Sequence, residues 1–432
     1  MTWPSFNDVM AFLPIGVFGL ISWSIWLFRR TMSHRARPIR NNYSTTTSLV
    51  VPVFREDPEV LSQCLDSWIA AKPDEVILVL DVADRDCLAM LAARELPGLV
   101  RIITYPHEGK RASLGIGIRA ATSDVVVVAD SDTAWMPDLL REIQMPFAEA
   151  RVGGVGTRQF VAVRDSSLWR RVASWLLDIR YLDYVPAMGA RGAVPCLSGR
   201  TAAYRRAVIT PLLPALENEV FLGAKCFAGD DGRMTWLVLA AGYETVQQSS
   251  ARAVSMFPDR LWTFIKQRVR WGRNSYRCYF TAMWNGWLWR QPFITQLTVL
   301  QILLTPLTMG VSLFYLWLGT KFLAPPFIGL VVGWVFIGRG IRGISHLREH
   351  PRDIWILPVV VVMVMVIALP LKVISVLTMR RSGWLTRHAD TTGGEGQDNA
   401  SLNEHAVLFQ REPGHTVPEP PPALPPGMPT AS

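Results

Sequence analysis

Two pairs of acidic residues dominate the chemistry that this sequence could perform. Asp130 and Asp132 follow the apolar run VVVVA at 125–129, and Asp230 and Asp231 stand side by side much later. Carboxylates at positions i and i+2 of an extended segment point to one side. Mg²⁺ and Mn²⁺ prefer oxygen ligands and often use one or two carboxylates plus substrate phosphates. Asp130 and Asp132 are therefore a candidate metal site, and the alternative is an acid that caps the next helix.

The second acid pair has two compatible interpretations. A carboxylate near an acceptor hydroxyl can act as a general base. Asp230 and Asp231 also precede the apolar run MTWLVLA at 234–240, and acidic residues are favourable at the N-terminus of a helix. We interpret the pair as catalytic and leave the capping role open beside it.

Candidate nucleotide-binding residues follow two other apolar runs. Asp81 ends the run VILVL and could bind a base or ribose, or could simply form a turn. In HEGKR, at 107–111, Gly109 permits an irregular backbone, and Lys110 and Arg111 could neutralise a diphosphate. The spacing is not that of a P-loop. An exposed basic loop is the alternative interpretation.

Candidate sugar-binding residues lie towards the C-terminal side. Ser198 and Gly199 are small enough for close approach of a ligand. Gln267 and Arg270 would share one face of a helix at i, i+3. Arg270 could bind a departing phosphate and Trp271 could stack on a sugar ring. The alternative is an aromatic and arginine-rich helix at a membrane surface.

An alternating α/β pattern would position these residues. Five β-rich runs alternate with helical segments, which predicts a mostly parallel sheet covered on both faces. Ligands bind such sheets at the carboxyl ends of the strands. The predicted strands are 48–54, 75–81, 100–105, 124–130 and 153–157, and the predicted helices between them include 59–71, 85–94 and 110–121.

Apolar stretches on both sides of this region predict membrane helices. Residues 9–28 are uncharged and long enough to span a bilayer. Asp8 precedes them and Arg29 follows, which favours a retained helix over a cleaved signal. Three more stretches follow an aromatic and arginine-rich segment: 291–320, 322–338 and 354–371. Pro358 and Pro370 interrupt the last, so we expect it to be kinked or re-entrant, which keeps the following arginines inside.

Composition narrows the function classes. The net charge is +9, but the basic residues flank apolar stretches, so a membrane surface is the expected partner and nucleic acid is not. The five cysteines are scattered, without a CxxC pair, which favours a reducing compartment. The tail from about residue 390 is polar and proline-rich and is predicted to be disordered.

Taken in order, these segments resemble the processive family-2 glycosyltransferases, most closely hyaluronan synthases, with chitin and cellulose synthases as relatives. The matching segments are VVPVFRED (50–57), Asp81, HEGKR (107–111), DSD (130–132), LSGRTAAYRR (197–206), FLGAKCFAGDD (221–231), QRVRW (267–271) and SGWLTR (382–387). The resemblance implies an α/β GT-A fold, a Rossmann-like mixed sheet with helices on both faces, plus transmembrane and interfacial helices.

The resemblance also implies roles for individual residues. The donor would be a UDP-sugar, with Mg²⁺ or Mn²⁺ as cofactor. Donor-side residues would be Asp81 at the uracil, Lys110 and Arg111 at the nucleotide, and Asp132 at the metal with Asp130 in support. Asp231 would be the general base with Asp230 beside it, Ser198 and Gly199 would approach the substrate, and Gln267, Arg270 and Trp271 would hold the acceptor end and pyrophosphate. Trp384 and Arg387 match a cytoplasmic loop that closes over the nucleotide.

Two departures from the family pattern bear on the last part of the chain. Leu385 stands where relatives have glycine in W-G-T-R, which bears on the flexibility of that loop. Many relatives have further helices after the loop, so export through one subunit is left open. The predicted domains are an N-terminal membrane helix (1–30), a cytoplasmic GT-A domain (31–257), interfacial helices (258–290), membrane helices (291–380), the WLTR loop (381–388) and a tail (389–432).

The expected function is inverting transfer of sugar from a UDP-sugar to a growing β-linked, hyaluronan-like polysaccharide. The expected location is the plasma membrane, as a multi-pass protein with a cytoplasmic catalytic domain, a glycan acceptor and the lipid bilayer as partners. Two alternatives are transfer of one or a few sugars to a lipid acceptor and a non-catalytic scaffold or transporter. The sugar and a possible homo-oligomer are left open.

Overall fold

The computed structural model describes residues 17–106, 108–322 and 325–381. Ten strands are β1 (Thr47–Val53), β2 (Glu75–Asp81), β3 (Val100–Tyr105), β4 (Val125–Ala129), β5 (Thr133–Trp135), β6 (Val152–Val161), β7 (Thr201–Arg205), β8 (Val220–Phe221), β9 (Ala224–Lys225) and β10 (Glu244–Ser255). The α-helices are α1 (Val17–Arg35), α2 (Pro58–Ala70), α3 (Arg85–Ala92), α4 (Lys110–Ala120), α5 (Leu139–Gln144), α6 (Leu168–Asp178), α7 (Val185–Gly189), α8 (Arg206–Ile209), α9 (Leu213–Glu217), α10 (Asp230–Ala240), α11 (Leu261–Trp284), α12 (Phe293–Phe322), α13 (Pro325–Arg342), α14 (Ile344–Glu349), α15 (Leu357–Val362) and α16 (Ala368–Leu377).

Shorter helical segments join these elements. The 3₁₀ segments are Met145–Ala148, Arg164–Ser166, Thr210–Leu212, Leu288–Arg290 and Pro351–Ile356. Two segments are π-helical, Ile179–Tyr184 and Met363–Ile367. A π-helical segment has a wider turn than the α-helix and is often found at functional sites, whereas a 3₁₀ segment has a tighter turn.

Eight of the strands form one mixed sheet in the order β3-β2-β1-β4-β7-β6-β10-β5. The pairs β1–β2, β2–β3, β1–β4 and β6–β10 are parallel, which agrees with the predicted mostly parallel sheet, although β10 was not among the predicted strands. Strand β7 is antiparallel to both β4 and β6, and β5 is antiparallel to β10. Strands β1, β2 and β4 are buried along almost their whole length, which explains their apolar sequences. Helices pack on both faces of the sheet and form two apolar core clusters with it.

The sheet places several polar residues at one edge. Strands β1 and β4 run side by side in parallel, with Val50 opposite Val128, so their carboxyl ends point the same way. Asp130, Ser131 and Asp132 lie between the end of β4 and the start of β5. Strand β5 is paired in turn with β10, with Ala134 opposite Val254. The acidic tripeptide therefore lies in a short turn that is held on both sides by strand pairing.

Helix α11 packs closely against α16, near the end of the described chain. The Oγ of Ser375 lies 3.4 Å from the carbonyl oxygen of Val269. A Cβ atom at Gly272 would clash with the Ser375 side chain. Glycine and serine therefore allow the backbones of the two helices to approach each other.

Two of the described stretches, Phe293–Val311 and Pro351–Leu377, are long and apolar enough to cross a membrane, judged by length and composition. The predicted N-terminal helix coincides in part with α1, and residues 1–16 lie outside the described residues. The predicted tail, 389–432, lies outside them as well. A π-helical segment interrupts the last apolar stretch between its two prolines. Whether that stretch crosses the membrane or re-enters stays a prediction.

A buried histidine joins the sheet domain to the last apolar stretch. His346 Nδ1 lies 2.7 Å from Asp178 Oδ2, and its Nε2 lies 2.9 Å from Asp353 Oδ2. Arg158 and Arg164 also contact these two carboxylates, at 3.3 Å and 2.5 Å. A carboxylate accepts but does not donate hydrogen bonds, so both contacts favour a doubly protonated ring. Burial opposes that charge, but the hydrogen bonds to the two aspartates outweigh it and raise the pKa of His346.

Protonated His346 should stabilise the fold in a pH-dependent way. Because its pKa is raised in the folded state, its contribution is complete below the unfolded pKa of about 6.5 and is lost as pH rises through the higher folded value. The melting temperature of the purified protein should therefore fall over that interval, and His346→Gln should flatten the slope. His34 is exposed and provides the matched control, His34→Gln. An unchanged slope in His346→Gln would contradict this role.

Candidate active site

A cleft of about 670 Å³ opens at the edge of the sheet where β4 ends. It brings together predicted residues from five separate parts of the sequence. The predicted residues that line it are Lys110, Asp130, Asp132, Ser198, Gly199, Asp230, Asp231, Gln267, Arg270 and Trp271. Both acid pairs thus face one cavity, and Trp384 and Arg387 lie outside the described residues.

Lys110 links the two acid pairs directly. Its Nζ lies 2.6 Å from Asp130 Oδ1 and 3.1 Å from Asp230 Oδ2. The lysine is the first residue of α4 and follows Gly109, whose φ of 98° is unfavourable for other residues. A Cβ at Gly199 would lie in van der Waals contact, 3.4 Å from both Lys110 Nζ and Asp230 Oδ2.

The ion pairs determine the charge state of Lys110 and Asp130 in the cleft. Burial opposes ionisation of Asp130, but the ammonium group of Lys110 outweighs it and lowers the pKa of the carboxyl. Burial likewise opposes the charge of Lys110, but Asp130 and then Asp230 raise the pKa of the lysine. Both groups are therefore charged at neutral pH. A fixed ammonium group in the cleft is suited to stabilise a leaving phosphate.

Asp231 has the properties of a general base. It is the second residue of α10, and its Oδ1 accepts a hydrogen bond of 2.8 Å from the backbone of Gly232. Burial and then the neighbouring Asp230 raise the pKa of Asp231. A carboxylate with a raised pKa is a stronger base and takes a proton from an acceptor hydroxyl more readily.

Asp132 fits the ligand of a divalent cation better than Asp130. The carboxyl of Asp132 is partly exposed in the cleft, and Thr133 Oγ1 donates a hydrogen bond of 3.3 Å to Asp132 Oδ1. Asp130 is instead engaged by Lys110. Carboxylate oxygen is the donor type that Mg²⁺ and Mn²⁺ prefer, and such ions take their remaining ligands from phosphates and water. Asp132 would hold the ion, with Asp130 in support.

Helix α11 supplies the opposite wall of the cleft through Gln267, Arg270 and Trp271. The Trp271 ring meets Phe257 edge to face, with ring centroids 6.2 Å apart. The guanidinium of Arg200 lies 4.9 Å from the centroid of Trp271 and 4.0 Å from that of Phe257. The tryptophan is therefore held in one orientation, which suits stacking on a sugar ring.

Comparison with known proteins identifies the family. A family model described as glycosyltransferase like family 2 matches residues 45–274, more than half of the 432 residues. The chain belongs to glycosyltransferase family 2. The match covers all of the cleft residues that lie between β1 and Asn274, including both acid pairs and Trp271.

Curated relatives of this glycosyltransferase come from bacteria and fungi. An N-acetylglucosaminyltransferase of Neorhizobium galegae is 26% identical over 85% of this chain and 86% of its own length. An N-acetylglucosaminyltransferase of Azorhizobium caulinodans is 29% identical over 79% and 87%. A type 2 glycosyltransferase of Pyricularia oryzae is 25% identical over 85% and 79%.

A solved structure shows the same architecture. The mannosyltransferase of Pyrobaculum calidifontis, in complex with GDP-mannose and Mn²⁺, has a TM-score of 0.59 to this glycosyltransferase. The two are 17% identical, and the match covers 84% of this chain and 96% of the other. The likeness confirms the predicted GT-A fold.

Two of the predicted binding residues that the structure describes, Asp81 and Arg111, do not line the cleft. Asp81 is buried, and its Oδ1 accepts a hydrogen bond of 2.9 Å from the backbone of Ala83. This contact two residues along the chain is typical of the turn-forming aspartate that was the alternative interpretation. Arg111 points away from Lys110 into the protein. It pairs with Glu219 at 2.7 Å and donates to the carbonyl oxygen of Leu216 at 2.9 Å. Arg111 thus fixes the segment before the second acid pair instead of reaching towards the diphosphate.

Removal of Arg111 should destabilise the protein more than removal of an exposed arginine on the same helix. Arg111→Met leaves Glu219 buried with less compensation, so we expect a loss of about 3–5 kcal/mol in the free energy of unfolding. The control is Arg119→Met, because Arg119 pairs with Glu217 at 2.6 Å but is half exposed. That change should cost less than about 1 kcal/mol. Chemical denaturation measures both, and equal losses would contradict the assignment.

Several cleft residues were not predicted from the sequence. Arg180 and Tyr181 reach the cleft from the π-helical segment, and Cys196 and Tyr279 lie near Asp231. The Cys196 Sγ donates to Asp231 Oδ2 at 3.7 Å, and burial, then Asp231, raises the pKa of this thiol to about 12. Arg180 and Tyr181 lie in a π-helical turn, which has no recognised sequence signal. Arg200, by contrast, lies in the segment LSGRTAAYRR, which is part of the family resemblance.

Proposed function

We propose that this glycosyltransferase transfers a sugar with inversion from a UDP-sugar to a hydroxyl of a β-linked glycan. The proposal is supported chiefly by the contact of Lys110 with both acid pairs, because it brings the candidate metal ligand and the candidate base into one cleft. Fold alone would not be sufficient, since a GT-A domain can serve several donors and acceptors.

In the proposed mechanism, Asp231 removes the proton of the acceptor hydroxyl as its oxygen attacks the anomeric carbon. The bond from that carbon to the β-phosphate oxygen breaks, and its electron pair leaves with UDP. An α-linked donor thus gives a β-linked product. Lys110 and Arg270 stabilise the charge of the leaving diphosphate. A divalent ion at Asp132 would add further positive charge there. Gln267 and Trp271 orient the acceptor sugar.

We further propose UDP-N-acetylglucosamine as a donor and a hyaluronan-like glycan as the product. The names of the bacterial relatives support the amino sugar. The resemblance of the ordered motifs to hyaluronan synthases supports the polymer, which would require a second, uronic acid donor. The apolar stretches and their flanking arginines support a multi-pass plasma-membrane protein with its catalytic domain in the cytoplasm.

The decisive experiment incubates the purified protein with single and paired UDP-sugars and Mn²⁺. We expect UDP release only with UDP-N-acetylglucosamine present, complete loss with EDTA, and recovery on adding Mn²⁺. Digestion of the product with hyaluronidase, chitinase and cellulase identifies the linkage and sugar. A long product on a gel supports processive synthesis, and a short lipid-linked product would favour the alternative acceptor. No turnover with any UDP-sugar would overturn the proposal.

A further inference from the structure

Both oxygens of the Asp231 carboxylate are contacted from within the protein. The Oδ1 atom accepts a hydrogen bond of 2.8 Å from the backbone N–H of Gly232, and Oδ2 lies 3.7 Å from the Sγ of Cys196, which donates to it. The terminal torsion of an aspartate is otherwise broadly distributed. A contact to each oxygen fixes the plane of the carboxylate. The Cys196 thiol therefore helps to set the orientation of the candidate base.

The segment that carries Cys196 is anchored on both sides of the thiol. Arg180 donates a hydrogen bond of 3.0 Å to the carbonyl oxygen of Cys196. The backbone N–H of Leu197 donates at 3.0 Å to Thr235 Oγ1, and this hydroxyl donates at 2.7 Å to the carbonyl oxygen of Asp231. Thr235 is fully buried. These contacts hold the cysteine and the base at a fixed separation.

A thiol is suited to orient a base without weakening it. Burial, then the charge of Asp231, raises the pKa of Cys196 to about 12, so the thiol keeps its proton at neutral pH and donates it to the carboxylate. The S–H group is a weak donor. A stronger donor would stabilise the charged form of the carboxyl further and lower its pKa, which makes a weaker base. Cys196 therefore orients Asp231 and leaves most of its base strength intact.

We propose that Cys196 is a positioning residue for the reaction, because its S–H group holds Asp231 Oδ2 in the orientation from which this oxygen takes the proton of the acceptor hydroxyl. The inference rests on the proposed sugar transfer and on the role of Asp231 in it. A carboxylate oxygen has two lone pairs, so Oδ2 can accept from the thiol and from the acceptor together. Cys196 acts only through Asp231 and transfers no proton itself.

The first test is the pH profile of Cys196→Ala. Loss of a hydrogen bond to the charged form raises the pKa of the carboxyl, so the acid limb of kcat/KM should move to higher pH by about 0.5–1 unit. The kcat at the optimum should fall about 10-fold, because the base is less well oriented. The KM for UDP-N-acetylglucosamine should be unchanged, since Asp130, Asp132 and Lys110 remain. An unchanged acid limb and kcat would overturn the inference.

A conservative variant separates the hydrogen bond from packing. Cys196→Ser keeps a donor of similar size, so its acid limb should lie at or below that of the wild type and part of the lost kcat should return. An acid limb as high as that of Cys196→Ala would show that a donor at this position does not act on the base.

The matched control is Cys278→Ala, the same chemical change at a neighbouring thiol. A Cβ at Gly232 would lie 3.2 Å from Cys278 Sγ and 3.9 Å from Cys196 Sγ, so both thiols lie close to the same glycine. Cys278 is buried on α11 in an apolar cluster with Trp236 and Tyr279. Its removal should lower the melting temperature and leave the acid limb in place. Equal shifts of the limb in both alanine variants would attribute the effect to packing and overturn the inference.

Infrared spectroscopy distinguishes failure of this inference from failure of the proposed function, because it needs no turnover. The difference spectrum of wild type and Cys196→Ala isolates the S–H stretching band of Cys196. A hydrogen-bonded S–H group absorbs at lower frequency than a free one, so the band should move to higher frequency as Asp231 is protonated. Asp231→Ala should give the higher frequency at every pH.

The two readouts together decide which proposal fails. A band that titrates with Asp231 while no UDP is released would support the contact and contradict the proposed transfer. Release of UDP with a band that responds neither to pH nor to Asp231→Ala would support the transfer and overturn the role of Cys196.

Discussion

Asp231→Asn should reduce sugar transfer by a factor of about 10³, within the usual range for loss of a general base. Asparagine has nearly the same size and can still accept the hydrogen bond from Gly232, but it cannot take a proton. Binding of the UDP-sugar should be unchanged, because Asp130, Asp132 and Lys110 remain. UDP release measures transfer, and calorimetric titration measures donor affinity. Turnover close to wild type would remove Asp231 from the mechanism.

The neighbouring acid provides a sharper control. Asp230 raises the pKa of Asp231, after the larger effect of burial. Asp230→Asn should therefore shift the acid limb of the kcat/KM profile to lower pH, because it removes a like charge beside the base. The same change removes one partner of Lys110, so a modest rise in donor KM is expected. An acid limb that moves to higher pH would contradict this arrangement.

Asp132→Asn should abolish the response to Mn²⁺ and lower transfer by about 10²–10³, as loss of charge stabilisation in an active site commonly does. The amide is a poor ligand for a hard cation, so the ion would be held by the donor phosphates alone. Binding of Mn²⁺ in the presence of UDP, followed by paramagnetic resonance, measures the site directly without turnover.

Asp130→Asn is the matched control for the metal site. Asp130 is occupied by Lys110 at 2.6 Å, so its loss should release the lysine and weaken donor binding while much of the Mn²⁺ affinity remains. If Asp130→Asn lost Mn²⁺ and Asp132→Asn kept it, the two roles would have to be exchanged.

The strands with continuous apolar sequences were the most predictable, and β7 and β10 were missed. β1, β2 and β4 were placed to within a few residues, because buried strands require apolar side chains on both faces. β3 and β6 were also placed, although half of the residues of β3 are exposed and β6 is longer at its end than predicted. β7 has the sequence TAAYR and resembles a small-residue loop. β10 contains the polar stretch QQSSAR and shows no regular alternation. Their place in the sheet depends on neighbours that are distant in sequence.

The cleft illustrates the same limit at the level of side chains. The position of Asp130, Asp132 and Lys110 beside strand ends followed from their spacing. The spacing did not show that the Lys110 side chain enters the cleft whereas the Arg111 side chain enters the protein interior. Adjacent residues on a helix point in different directions, so one reaches the cleft and the other the interior. Arg180 was missed because a π-helical turn changes which residues share a face.

Gly272 ties the acceptor wall to the last apolar helix. With so little space between α11 and Ser375, the two helices cannot slide or tilt independently without steric collision. Trp271 is the residue next to that contact. A tilt of the final helix would therefore move the cleft wall that carries Trp271. If the final helix lies in a membrane, as proposed, the catalytic rate would then respond to the thickness and lateral pressure of that membrane.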